Sequence, residues 1–138
     1  MTFGYQWIRR NLHLILSLVI VLPTGIIYGI PDFIEGQLDI NVSTIDLANF
    51  LKAIMMLYLG FSSVWFVGAV LPKYWKIATL SNVFFMLTLA FGRTISMVID
   101  GIPSAGYVFG VCAEFGLGAL AFFQLKWNDA LLLKKGNT

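Results

Sequence analysis

Apolar residues fall along this chain in long, nearly uncharged runs, broken by short stretches where charges, prolines and glycines gather. No two-residue alternation of strands is present. What recurs is a run of roughly 20 residues, the length needed to cross a hydrocarbon core as a helix. Four such spans are read at about residues 12–28, 46–71, 77–99 and 104–125. Between the first two, residues 29–45 form the longest polar stretch, with Asp32, Glu35 and Asp39 and no base until Lys52. Phe33, Ile34, Leu38 and Ile40 are too apolar for a free linker, so this segment is placed on the bundle mouth or in the membrane interface.

The boundaries follow from local chemistry. Pro23 lies inside the first span and frees the carbonyl of Val19, so a kink is expected there. Ser43 or Thr44 can cap the second helix, with Asp46 in its first turn facing the positive end of the dipole. Pro72 ends that helix, and Tyr74 and Trp75 are typical interfacial anchors. Between the third and fourth spans, Asp100-Gly101-Ile102-Pro103-Ser104 reads as a tight helical hairpin. Glycine supplies the left-handed stop, proline blocks continuation and serine can cap the next helix. The tail from Lys126 to Thr138 is amphiphilic and basic and is expected to fray.

Composition agrees with the pattern. Across 138 residues the hydrophobic share is 59% and the charged share 12%, outside the range of water-soluble domains. A single all-α integral membrane domain, a four-helix bundle, is therefore predicted. The net charge of +2 does not suggest nucleic acid as a partner. Its bases instead cluster at span ends: Arg9, Arg10, Lys73, Lys76, Lys126, Lys134 and Lys135 fall on one side, and Asp32, Glu35, Asp39 and Asp100 on the other. The positive-inside rule then puts both termini in the cytoplasm. Arg9 and Arg10 before an apolar run also imitate a signal peptide, but no small-x-small site follows and the run resumes at Ile26, so it is read as a retained first span.

Chemistry concentrates around one hairpin. Helical spacing aligns Asn82, Met86, Leu89, Ala90, Arg93, Ser96 and Asp100 on one stripe of the third helix, which should face the bundle interior. In the fourth, Gly106, Gly110, Glu114 and Gly118 recur every fourth residue, a spacing that permits close helix approach. Counted from the hairpin, Arg93 and Glu114 differ in depth by roughly one turn, and the lean of helical side chains toward their own N-terminus closes that gap. An Arg93–Glu114 ion pair is expected, with Lys52 and Asp100 completing a set of two cations and two anions.

Two readings of this set compete. In one the charges neutralise each other and lock helix register. In the other they line an outward-opening polar site for a small polar ligand or a lipid headgroup. A proton- or cation-coupled transporter acting as a homo-oligomer is an alternative, with Glu114 as the responsive carboxylate, as is an accessory subunit of a membrane enzyme. No catalytic, metal-binding or cofactor motif occurs. His13 near the start of the first span is read as interfacial, Cys112 as an inert buried thiol, and Met55, Met56, Met86 and Met97 as core packing.

Gly92-Arg93 followed by Ser96, then Asp100-Gly101-x-Pro103-Ser104 and Glu114, resembles the pattern of DUF4345, a family of small bacterial four-helix membrane proteins described as a domain of unknown function. Phe50-Leu51-Lys52-Ala53-Ile54-Met55 with Tyr58-Leu59-Gly60 resembles it too, although arginine is expected in that family where this chain has Lys52. The resemblance implies a protein of the bacterial inner membrane and no particular activity.

Overall fold

A computed structural model describes residues 2–37 and 41–136, with side chains described over 4–35 and 41–128. Every regular element among the described residues is helical: α1 (Thr2–Tyr28), α2 (Pro31–Gln37), α3 (Ile45–Val70), a short 3-10 turn (Pro72–Tyr74), α4 (Trp75–Ile99) and α5 (Ala105–Gly136). Four segments are long and apolar enough to cross a membrane: Gly4–Tyr28, Ile45–Val70, Pro72–Ile99 and Ala105–Asn128. α1 begins well before the apolar run does and continues through Pro23. α5 likewise extends to Gly136, beyond the point where fraying was expected.

The long helices pack in the ring order α1, α3, α4, α5, with α5 returning to α1 and a diagonal contact between α1 and α4. Each buries a stripe at helical spacing. On α1 it is Leu14, Ser17, Val21 and Tyr28, on α3 Leu51, Tyr58, Ser62, Trp65 and Ala69, on α4 Ala78, Asn82, Met86 and Ala90, and on α5 Val111, Glu114, Leu117 and Ala121. The remaining perimeter is apolar as well: Val19, Phe66, Ile77, Phe84, Phe109 and Phe123 all face outward. An apolar outer surface around a mixed interior is what lipid, and not water, selects.

Close approach is built into the sequence. A Cβ placed on Gly25 would sit 2.5 Å from the Cβ of Tyr58, and one on Gly68 would collide with the Cβ of Ala78. Glycine at these points brings α1 against α3 and α3 against α4. Aromatic rings fill the space above, where Tyr58 meets Tyr28 edge-on with centroids 5.5 Å apart and Phe85 at 5.2 Å.

The connections hold the ends. Thr44 caps α3 by accepting a hydrogen bond from the Leu47 amide at 3.2 Å. α2 packs against α1 with Ile34 fully buried in the core, and Glu35 accepts the Val42 amide at 2.6 Å. Leu38 and Ile40, expected to share in this contact, lie outside the described residues. At the hairpin Gly101 has φ +105°, the left-handed conformation expected there. Ser104 contributes its carbonyl, which accepts the amides of Tyr107 and Val108.

Candidate functional site

Arg93 lies on α4 six residues before its end, about 9 Å below the hairpin, and Glu114 on α5 about 13 Å below it. Their side chains meet: Arg93 Nη1 is 3.0 Å from Glu114 Oε1, with side-chain exposures of 20% and 11%. Gly110 makes the meeting possible, since a Cβ there would lie 2.8 Å from Arg93 Nη1. Gly118, one turn below Glu114, similarly admits Leu87, whereas Gly106 is exposed with no neighbour that a Cβ would touch.

A shell of phenols surrounds the guanidinium. Arg93 Nη2 donates to the Tyr28 hydroxyl at 3.2 Å, which ties α4 to the end of α1. Tyr107 presents its ring face 5.4 Å from the Arg93 carbon, and the hydroxyl-bearing ring of Tyr58 faces the same charge from α3. Arg93, on α4, is thus surrounded by groups from the other three long helices. Oε2 of Glu114, by contrast, is buried without a hydrogen-bond partner.

The other residues of the sequence-based set are placed elsewhere. Lys52 is exposed on α3, one position past the buried Leu51, on the outward face it shares with Met56 and Ser63. It therefore points out of the bundle, where a lysine can reach the headgroups with its long stem. Asp100 is exposed and accepts a hydrogen bond from Ser96 at 2.8 Å, which closes the end of α4 on itself and leaves Arg93 to Glu114. Asn82 does face inward and is fully buried, but it lies about 16 Å down the helix axis from Arg93. Its amide nitrogen and oxygen have no hydrogen-bond partner among the described residues.

The remaining residues singled out in the sequence are placed as follows. His13, read as interfacial, is fully buried in the protein at the level of Trp75: its Nε2 is 2.9 Å from Thr79 Oγ1, and its ring meets Trp75 edge-on at 5.8 Å. α1 starts early enough that position 13 is well inside the helix, and α4 supplies a hydroxyl at the same depth. Cys112 is exposed, because the inward stripe of α5 runs through Gly110, Glu114 and Gly118 and places Cys112 on the opposite face. Met86 and the Gly29-facing Met55 do pack inside, while Met56 is exposed.

The tyrosines were missed in the sequence. Tyr28 marked only the end of a span, and nothing local to it signals a partner on α4. Arg93 also borders a groove of about 510 Å³ between α3 and α4, walled mainly by Leu57, Phe61, Phe84, Phe85 and Leu89. Among the described residues no three His, Cys, Asp or Glu side chains come together as metal ligands.

Residues 10–125 match the family model described as "Domain of unknown function (DUF4345)", and the chain belongs to that family. No curated protein and no solved structure matches it.

Proposed function

We propose that this member of the DUF4345 family is a non-enzymatic membrane protein that holds a lipid or lipid-like amphiphile in its hairpin half. The polar head lies at Arg93 and the acyl chain in the groove between α3 and α4. One observation carries this reading: Arg93, whose guanidinium is fixed by Glu114 and Tyr28, is also one of the residues that line the apolar groove. Arginine has five N–H donors, and the two bonds to Glu114 and Tyr28 leave donors for a headgroup. The groove opens on the lipid-facing perimeter, where an acyl chain is the natural occupant. With bases at the end carrying the termini and acids at the hairpin end, the proposed setting is a bacterial inner membrane with both termini cytoplasmic and this site toward the outside.

The test is photolabelling of detergent-purified protein with a phospholipid carrying a diazirine in its acyl chain, supplied at low molar excess. Labelling should fall on the facing walls of the groove, and Leu57→Trp, which fills it, should reduce labelling about tenfold while the helical fold persists. Unchanged labelling in a folded Leu57→Trp protein would overturn the assignment.

A second reading has its own support. The chain of contacts Glu114–Arg93–Tyr28 joins α5, α4 and α1, as a register lock would. Under that reading alone, groove-filling and loss of the pair affect stability and no lipid follows Arg93.

A further inference from the structure

At the opposite end of the bundle a second cleft, of about 290 Å³, lies where the starts of α1 and α4 meet the later part of α5. Its chemistry differs from that of the hairpin site. Arg9 and Arg10 come from α1, Trp75 from α4, and Gln124 and Trp127 from α5. Each arginine lies over one indole: the Arg9 guanidinium carbon is 5.8 Å from the Trp127 ring centroid, and that of Arg10 is 5.8 Å from Trp75. Gln124 donates to the backbone carbonyls of Arg9 and Arg10, which fixes the backbone of α1 against α5.

Two donors here have no acceptor among the described residues. Nε of Arg10 and Nε1 of Trp75 are both buried without a hydrogen-bond partner, and Trp75 is only 3% exposed. Buried donors of this kind are costly unless something accepts from them. No carboxylate is among the described lining residues, and Lys73 and Lys126 add positive charge at the same end. A lining of two guanidiniums, two indoles and side-chain amides with no described carboxylate suits an anion with several acceptor oxygens. Guanidiniums suit phosphate because their planar forks match its oxygens.

The setting selects the kind of phosphate. Tryptophans at the ends of membrane helices lie at headgroup depth, and basic pockets between such helices are where anionic headgroups bind. We infer that the Arg9–Arg10–Trp75–Trp127 cleft is a binding site for the phosphate of an anionic phospholipid. It is separate from the Arg93 site, from which it is divided by the length of the bundle, and it does not depend on the reading proposed for that site.

The experiment measures retention of dioleoyl phosphatidylglycerol and dioleoyl phosphatidylcholine by native mass spectrometry of the full chain released from neutral detergent. Wild type should retain phosphatidylglycerol about tenfold better than phosphatidylcholine, and Arg9→Gln with Arg10→Gln should remove that preference. Lys73→Gln with Lys126→Gln, which lowers the charge of the same end by as much, should leave it within about twofold. Equal retention of both lipids by wild type, or equal loss in the lysine variant, would overturn the proposal in favour of a diffuse basic surface. Complete displacement of phosphatidylglycerol by equimolar inorganic phosphate would also overturn it, since a free anion would then be the ligand. Should the double glutamine variant fail to fold, Arg9→Lys and Arg10→Lys keep the charge and remove the fork. A several-fold loss of retention in either supports the site, and wild-type retention in both rejects it.

Discussion

Arg93 is expensive to place in a hydrocarbon layer, and its surroundings show how the cost is offset: one carboxylate at 3.0 Å, one phenol at 3.2 Å and an aromatic face beside it. Removing one partner strands the other. Glu114→Gln leaves the guanidinium without a counter-charge, and Arg93→Gln leaves a buried carboxylate whose Oε2 already lacks a partner. Each single variant should lose about 3–5 kcal/mol in reversible denaturation in mixed micelles. The double variant pairs two neutral amides and should lose less than either single one, because residues in contact are not additive. Losses that simply add would show that the pair contributes nothing as a pair. This pairing was readable in the sequence because depth along two helices joined by a short turn is a matter of counting. Tyr28 was not readable, since it reaches Arg93 across 65 positions and no periodicity links them. His13 and Thr79, 66 positions apart, escaped for the same reason.

At the scale of the helices, close packing rests on points where a side chain would not fit. Gly68 faces Ala78 so tightly that a methyl group on it would collide with the alanine side chain, whose Cβ cannot rotate away. Gly68→Ala should therefore push α3 from α4 and cost about 1–3 kcal/mol. Gly60, on the same helix with nothing near its missing Cβ, provides the comparison. Gly60→Ala should be neutral or stabilise by about 0.5–1 kcal/mol through helix propensity. Equal effects of the two substitutions in thermal unfolding would reject close approach as the role of Gly68. Span existence and the Thr44 cap were legible because apolar length and end chemistry are local properties. α2 was not: over seven residues that include Gly36, no helical period can be established, and its anchor Ile34 is recognised only by the core it joins. The extra turns of α1 and α5 were missed because hydropathy marks where a helix leaves the hydrocarbon, not where its hydrogen bonds stop.

For the whole molecule, the two ends differ in charge and in what they offer a ligand. The end with the termini gathers Arg9, Arg10, Lys73, Lys76 and Lys126, while the hairpin end carries Asp32, Glu35, Asp46 and Asp100. A four-span bundle brings three separate basic segments to one side, so they bias insertion in the same direction. Sequence counting exposed this asymmetry but not the Arg9–Arg10 cleft, whose walls come from three helices. Orientation is testable because Cys112 is the single cysteine and can be replaced by serine. In that background Ile102→Cys, at an exposed hairpin position, should react with an impermeant maleimide in intact right-side-out vesicles. Lys73→Cys, at the turn before α4, should react only after the vesicles are opened. The reverse pattern would place the basic end outside. The Arg93 groove would then face the cytoplasm, and the arginine–tryptophan cleft would meet the outer leaflet instead of the inner one that the charge distribution predicts.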